Sequence, residues 1–252
     1  TDASGNVYTT GVFEGTVDFD PAAGTFNVTS NGSLDVFIQK LDASGNFIWA
    51  KSLGGIGYDV GQSIVTDALG NVYTTGRFVN TVDFDPGAGT FNVTSNGGLD
   101  MFIQKLDASG AFIWAKMVGS TGSDLGFSIT TDALGYVYTT GYFSDVADFD
   151  PGAGTFNLTP NGGGDIYIQK LDANGNFIWA KSMGGSIGSE DGRSITTDVS
   201  GNVYTTGYFE NTVDFDPGAG TFNLISNGGK DIFIQKLDSN GAFIWAKSMG
   251  TT

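Results

Sequence analysis

The chain has 252 residues, of which 40% are hydrophobic and 15% charged, a balance that belongs to folded globular proteins and not to disordered ones. Its 27 acidic and 11 basic residues leave a net charge of −16, which repels phosphate backbones and anionic membrane surfaces, so nucleic acid is not an expected partner. The absence of cysteine and histidine removes disulfides, thiolate nucleophiles, the usual zinc ligands and the commonest general base together.

One unit is repeated four times. TDASGNVYTTG begins at Thr1, TDALGNVYTTG at Thr66, TDALGYVYTTG at Thr131 and TDVSGNVYTTG at Thr197, at steps of 65, 65 and 66 residues. Trp49, Trp114, Trp179 and Trp245 keep the same steps, and the extra residue falls in the loop after Met183. The repeats run 1–65, 66–130, 131–196 and 197–252.

In the second unit the strand-length runs are, in order, Ser63 to Thr66, Val72 to Phe78, Thr81 to Phe84, Thr90 to Thr94, Met101 to Leu106 and Phe112 to Lys116. Asp67-Ala68-Leu69-Gly70 and Asp107-Ala108-Ser109-Gly110 separate neighbouring runs as four-residue turns, and Asn-Gly at 31, 96, 161 and 227 signals a further tight loop. No helical period of useful length appears. MFIQKL and FIWAK carry apolar residues on both parities, which predicts burial of both sheet faces. Tandem sheets covered on both faces without helices predict an all-β fold of the β-propeller type, with four blades of about 65 residues packed blade against blade.

These units resemble the bacterial SBBP (seven-bladed β-propeller) repeat family, whose pattern is DxxGNVYxTGxF followed by DIFIxKLDxxGNxxWAKxxGG. The residues that carry the resemblance include Asp67, Gly70, Asn71, Val72, Tyr73, Gly76, Asp100, Phe102, Lys105, Leu106, Asp107, Gly110 and Trp114. The resemblance implies a four-stranded blade per unit, in secreted or cell-surface proteins with scaffolding or adhesive roles and no defined reaction. Each unit is longer than the roughly 40 to 50 residues of familiar blades. The excess is FVNTVDFDPGAGTFNVTSNGG, expected to decorate one rim. The first unit has no counterpart of GQSIV at 61–65, so an incomplete ring, a piece of a longer array or half of an eight-bladed assembly is expected, and the opening Thr1 lies inside a repeat rather than in a signal peptide. No run approaches the roughly 18 apolar residues of a membrane helix, so no membrane insertion is expected.

The feature most like a site is Asp-Phe-Asp-Pro, which pairs Asp18 with Asp20, Asp83 with Asp85, Asp148 with Asp150 and Asp214 with Asp216. Residues i and i+2 of a strand share a face, so each pair suits an oxygen-seeking cation such as calcium; equally, the second Asp caps a turn and the first is solvated. The four tryptophans either stack on sugars from repeated sites or, alternating with Phe112 and its equivalents, pack in the core. Lys51, Lys116, Lys181 and Lys247 read as solvated edge charges, and Tyr8, Tyr73, Tyr138 and Tyr204 as blade interior. Val12, Arg77, Tyr142 and Tyr208 occupy one divergent position, and positions 33 and 34 with their equivalents vary similarly, so a binding rim would differ between copies there.

The leading expectation is therefore a non-catalytic structural or adhesive module, contacting protein, glycan or further copies of the same repeat. A calcium- or carbohydrate-binding lectin-like propeller is the alternative. An enzyme using paired Asp residues ranks last, because four nearly equal sites argue against one specialised pocket.

Overall fold

The computed structural model describes residues 1–251 and contains only strands and connecting loops among them. The first repeat forms β1 (Val7–Phe13), β2 (Thr16–Asp18), β3 (Asn27–Thr29), β4 (Asp35–Leu41) and β5 (Phe47–Leu53). The second forms β6 (Val60–Thr66), β7 (Val72–Phe78), β8 (Thr81–Asp83), β9 (Asn92–Thr94), β10 (Asp100–Leu106) and β11 (Phe112–Val118). In the third these become β12 (Asp124–Thr131), β13 (Val137–Phe143), β14 (Ala147–Asp148), β15 (Asn157–Leu158), β16 (Asp165–Leu171) and β17 (Phe177–Met183). The fourth closes with β18 (Asp191–Thr197), β19 (Val203–Phe209), β20 (Thr212–Asp214), β21 (Asn223–Ile225), β22 (Asp231–Leu237) and β23 (Phe243–Met249).

Blades 2, 3 and 4 are four-stranded antiparallel sheets ordered β6-β7-β10-β11, β12-β13-β16-β17 and β18-β19-β22-β23. The innermost strand of each comes from the stretch just ahead of the TDxxG turn, so the repeat step at 65/66 cuts through the end of β6. Blade 1 has three strands, β1-β4-β5, and β1 has a partner on one side only. Propeller-type blades of the expected order are thus present in all four repeats.

The turns form as their residues dictate. At Asp107 to Gly110 the Asp107 carboxylate accepts the Ser109 and Ala111 amides at 2.8 and 2.9 Å, and Gly110 takes φ +82°, open to glycine without a Cβ penalty. A second glycine is required by packing within the sheet. The innermost strand bulges between Gly61 and Ser63, opposite Gly76, where a Cβ would overlap the Val60 carbonyl.

The core lies between blades. Val36, Ile38, Trp49 and Leu53 of blade 1 pack on Val72, Phe78, Phe84 and Phe102 of blade 2 in one cluster. Met101 and Val118 of blade 2 meet Phe143, Phe149 and Tyr167 of blade 3, and Ile166 and Met183 of blade 3 meet Phe209, Phe215 and Phe233 of blade 4. Alternate residues of one strand therefore serve opposite junctions, which is why the DIFIQKL-type strand is apolar on both parities.

The inserted segment does more than decorate a rim, correcting the sequence reading. Its short hairpin β8–β9 buries Val82 and Phe84, sets Phe84 edge-on to Phe78 at 5.2 Å, and accepts a 2.6 Å bond from the Gln104 amide at the Phe84 carbonyl. Its backbone also meets the end of the preceding blade at Gly54 and Gly55, so the hairpin is a wedge between neighbouring blades.

Candidate functional site

Three blade junctions repeat one arrangement. Lys40 of blade 1 and Trp49 beside it both donate to the Ala108 carbonyl in the β10–β11 turn of blade 2, at 3.1 and 3.4 Å. Lys105 and Trp114 do the same to Ala173 at 2.9 and 3.3 Å, and Lys170 and Trp179 to Ser239 at 3.1 and 3.3 Å. Each lysine ammonium lies over its own blade's tyrosine, 5.0 Å from Tyr8, 4.9 Å from Tyr73 and 5.0 Å from Tyr138. That tyrosine in turn donates to the Asp of the TDxxG turn, Asp2, Asp67 or Asp132, at 2.9, 3.1 and 2.9 Å. Burial at the junction pushes the Lys105 and Lys170 ammonium groups down from their ordinary values.

Trp49, Trp114 and Trp179 are thus junction residues, as the packing alternative holds, each committing its only donor to the next blade. The lysines of the Trp strand depart from the edge-charge reading: the stems of Lys51, Lys116 and Lys181 lie on Gly110, Gly175 and Gly241 of the following blade, and only Lys247 is exposed. The sequence gives Lys40, Lys105 and Lys170 no assigned role beyond the place of Lys105 in the repeat pattern, although a lysine inside an otherwise apolar strand is the available signal.

The fourth copy of this arrangement has no acceptor. Lys236 lies 4.9 Å from the Tyr204 ring centre and 3.8 Å from Asp198, and its ammonium is pushed up, chiefly by the Tyr204 hydroxyl. The face around it is open: Ile232 is 52% exposed where Met101 is 1%, and Met249 is 49% exposed where Val118 is 3%. At the other end Val7 is 36% exposed where Val72 is fully buried, and the Gly45 turn, equivalent to Gly110, has nothing against it.

The eight aspartates of the DFDP pairs have defined work in the hairpin. Asp18, Asp83, Asp148 and Asp214 each accept two backbone amides through Oδ1, that of the second Asp at 3.0 to 3.1 Å and that of Phe26, Phe91, Phe156 or Phe222 at 2.8 Å. Asp20, Asp85, Asp150 and Asp216 accept the amide two residues on, at 2.8 to 2.9 Å. Each pair closes its loop through Asx-type bonds, and among the described residues no three His, Cys, Asp or Glu side chains converge to hold a metal.

The divergent rim positions do converge. The Tyr142 hydroxyl donates to the Gly163 carbonyl at 2.9 Å, and the Lys230 ammonium sits 3.8 Å over the Tyr208 ring. Three equivalent grooves of 270, 290 and 260 Å³ run between successive TDxxG turns, floored by Lys40, Lys105 and Lys170. None assembles a nucleophile with a base.

The chain is 28% identical to an uncharacterized WD repeat-containing protein of Acanthamoeba polyphaga mimivirus, over 81% of this chain and 16% of that protein. It is 26% identical to the regulatory protein FlaEY of Caulobacter vibrioides, over 58% of this chain and 15% of that protein. It thus spans about a sixth of the length of these curated relatives. Residues 48–77, from the Trp strand of blade 1 through β7, match the family model of SBBP, the beta-propeller repeat, in agreement with the resemblance in the sequence.

Proposed function

We propose that this chain is a non-catalytic interaction module that binds other proteins through its two open blade faces, and that the partners which fit best are further blades of the same repeat. One observation carries the reading. The exposed face of blade 4 presents Ile232, Ile234, Lys236, Trp245 and Met249, the counterparts of residues that hold the next blade at each of the three internal junctions. Covering one such aliphatic side chain contributes about 1.5 to 3 kcal/mol, and several identical faces in one assembly add avidity.

The secreted or cell-surface setting implied by the resemblance, with a structural or adhesive role, forms part of the same proposal; fractionation of the producing cell tests it. The carbohydrate alternative has less support, since three of the four indole N–H groups are already committed to protein carbonyls. Light scattering across a concentration series tests the interaction reading. Association should grow with concentration and be lost on Ile232→Asp; a monodisperse monomer throughout overturns it.

A further inference from the structure

A second set of carboxylates recurs at the junctions, and unlike the DFDP pairs it is buried. Asp35 opens β4, Asp100 opens β10 and Asp165 opens β16, each shielded from solvent. Each faces an acid from the next blade's innermost strand or the residue just before it: Asp59, Asp124 and Glu190, all likewise buried. At the first two junctions both acids meet neighbouring residues of one loop. Asp35 lies against Gly54, where a Cβ would overlap its carboxylate, while Asp59 accepts the Gly55 amide at 2.8 Å. Asp100 lies against Gly119 while Asp124 accepts the Ser120 amide and hydroxyl at 2.6 and 2.7 Å, and Asp165 lies against Gly184.

These groups are not fully satisfied. Asp35 Oδ1, Asp100 Oδ1, Asp124 Oδ1 and both carboxylate oxygens of Glu190 are buried with no hydrogen-bond partner. No lysine or arginine compensates them: among the described residues the two ion pairs are Arg193 with Asp191 and Lys236 with Asp198. In each pair one acid instead feels the other, Asp59 feeling Asp35, Asp100 feeling Asp124 and Glu190 feeling Asp165. Asp100 and Asp165 are pushed up to about 6 and Glu190 to about 8, in each case first by burial, with Asp124 adding to the shift of Asp100 and Asp165 to that of Glu190. Burying uncompensated carboxylates is costly, and a chain at −16 has few cations to spare.

We infer that the three junction pairs, Asp35 with Asp59, Asp100 with Asp124 and Asp165 with Glu190, are sites for a divalent cation of the calcium class that cross-links adjacent blades. The donors are hard oxygens, and the free ones lie buried at the junction. At the third site Glu190 replaces aspartate, and the Glu210 carbonyl borders the same Gly188 position that Glu190 Oε1 borders, so this site has a longer arm and a further oxygen. The proposal is independent of the open end faces, since it concerns the closed junctions.

Calorimetric titration of the chelator-dialysed full chain with calcium chloride, paired with melting curves in calcium and in sodium chloride of equal ionic strength, tests it. Saturable binding to as many as three sites is expected, with a rise in Tm that sodium does not reproduce. Asp100→Asn with Asp124→Asn should remove one site, and because it also removes buried charge, the metal-free variant should melt no lower than the metal-free parent. Glu190→Gln should do the same for the third site and serves if the double variant does not fold. Asp83→Asn with Asp85→Asn should keep the full stoichiometry. Absence of saturable binding, with identical melting in the two salts, overturns the proposal in favour of junctions held by protons alone. Loss of a site in the Asp83/Asp85 variant but not in the Asp100/Asp124 variant overturns it in favour of the hairpins.

Discussion

Blades 2 and 3 and blades 1 and 4 are built from almost the same words, yet their strands are buried differently. DMFIQKL in β10 and DIYIQKL in β16 are buried at every position, whereas DVFIQKL in β4 and DIFIQKL in β22 alternate. The alternation runs in opposite phase: β4 is buried at Val36 and Ile38, which face blade 2, and β22 at Phe233, Gln235 and Leu237, which face blade 3. Burial of this strand is therefore a property of its neighbours and not of its own sequence. An end blade keeps the composition of an inner one and leaves half of it exposed.

The largest test of that difference is a pair of tryptophans. Trp114→Ala should cost about 3 kcal/mol, because it empties a junction and leaves the Ala173 carbonyl with one donor fewer, while Trp245→Ala should cost about 1. Denaturant unfolding of both variants measures this, and equal losses would remove the distinction. Glycine gives the next contrast. Gly76→Ala drives a methyl into the Val60 carbonyl of the bulged strand and should cost about 2 kcal/mol, whereas Gly11→Ala in blade 1 meets only the movable Phe37 ring and should cost less.

Acidity separates the regions in another way. Glu190, Asp100 and Asp165 bind their protons more tightly folded than unfolded, so in chelator the folded state gains stability as pH falls from about 8 toward about 5. The exposed turn acids Asp2 and Asp198, held at about 2 chiefly by the side chains of Asn6 and Asn202, act in the opposite sense and withdraw stability only on further acidification toward that value. Melting temperature against pH should therefore pass through a maximum in mild acid, and Glu190→Gln should flatten the limb above it. A curve that rises steadily to pH 8 would contradict the assignment. The smallest effect belongs to the hairpin: Asp85→Ala loses one 2.8 Å turn bond and should cost about 1 kcal/mol, read from the same unfolding curves.

Much of this architecture is legible in the sequence. The 65-residue step, the Asp-x-x-Gly turns and the double parity of MFIQKL named the blades and their covering, because turn chemistry and side-chain alternation are local. The role of the long insertion was not legible. Phe84 packs on Phe78 and Phe102 of its own blade while Asp83 beside it bridges to Gly54 at the end of the preceding blade, and that second contact is fixed only when the blades stack. The same holds for the acids. Asp83 and Asp85 attract attention because they lie two residues apart in sequence, but the buried pairs join Asp100 to Asp124 across a junction, a nearness invisible along the chain.

Blade faces are alike, and the proposed function has the exposed ones take a further blade. Hydrogen exchange resolved strand by strand, at low and at high protein concentration, tests it most directly. At low concentration β10 and β16 should exchange slowest and β1, paired on one side only, fastest, with β22 and β23 between them. At high concentration β1, β22 and β23 should gain protection while β10 and β16 stay unchanged. Equal protection in all four blades, indifferent to concentration, would contradict the account.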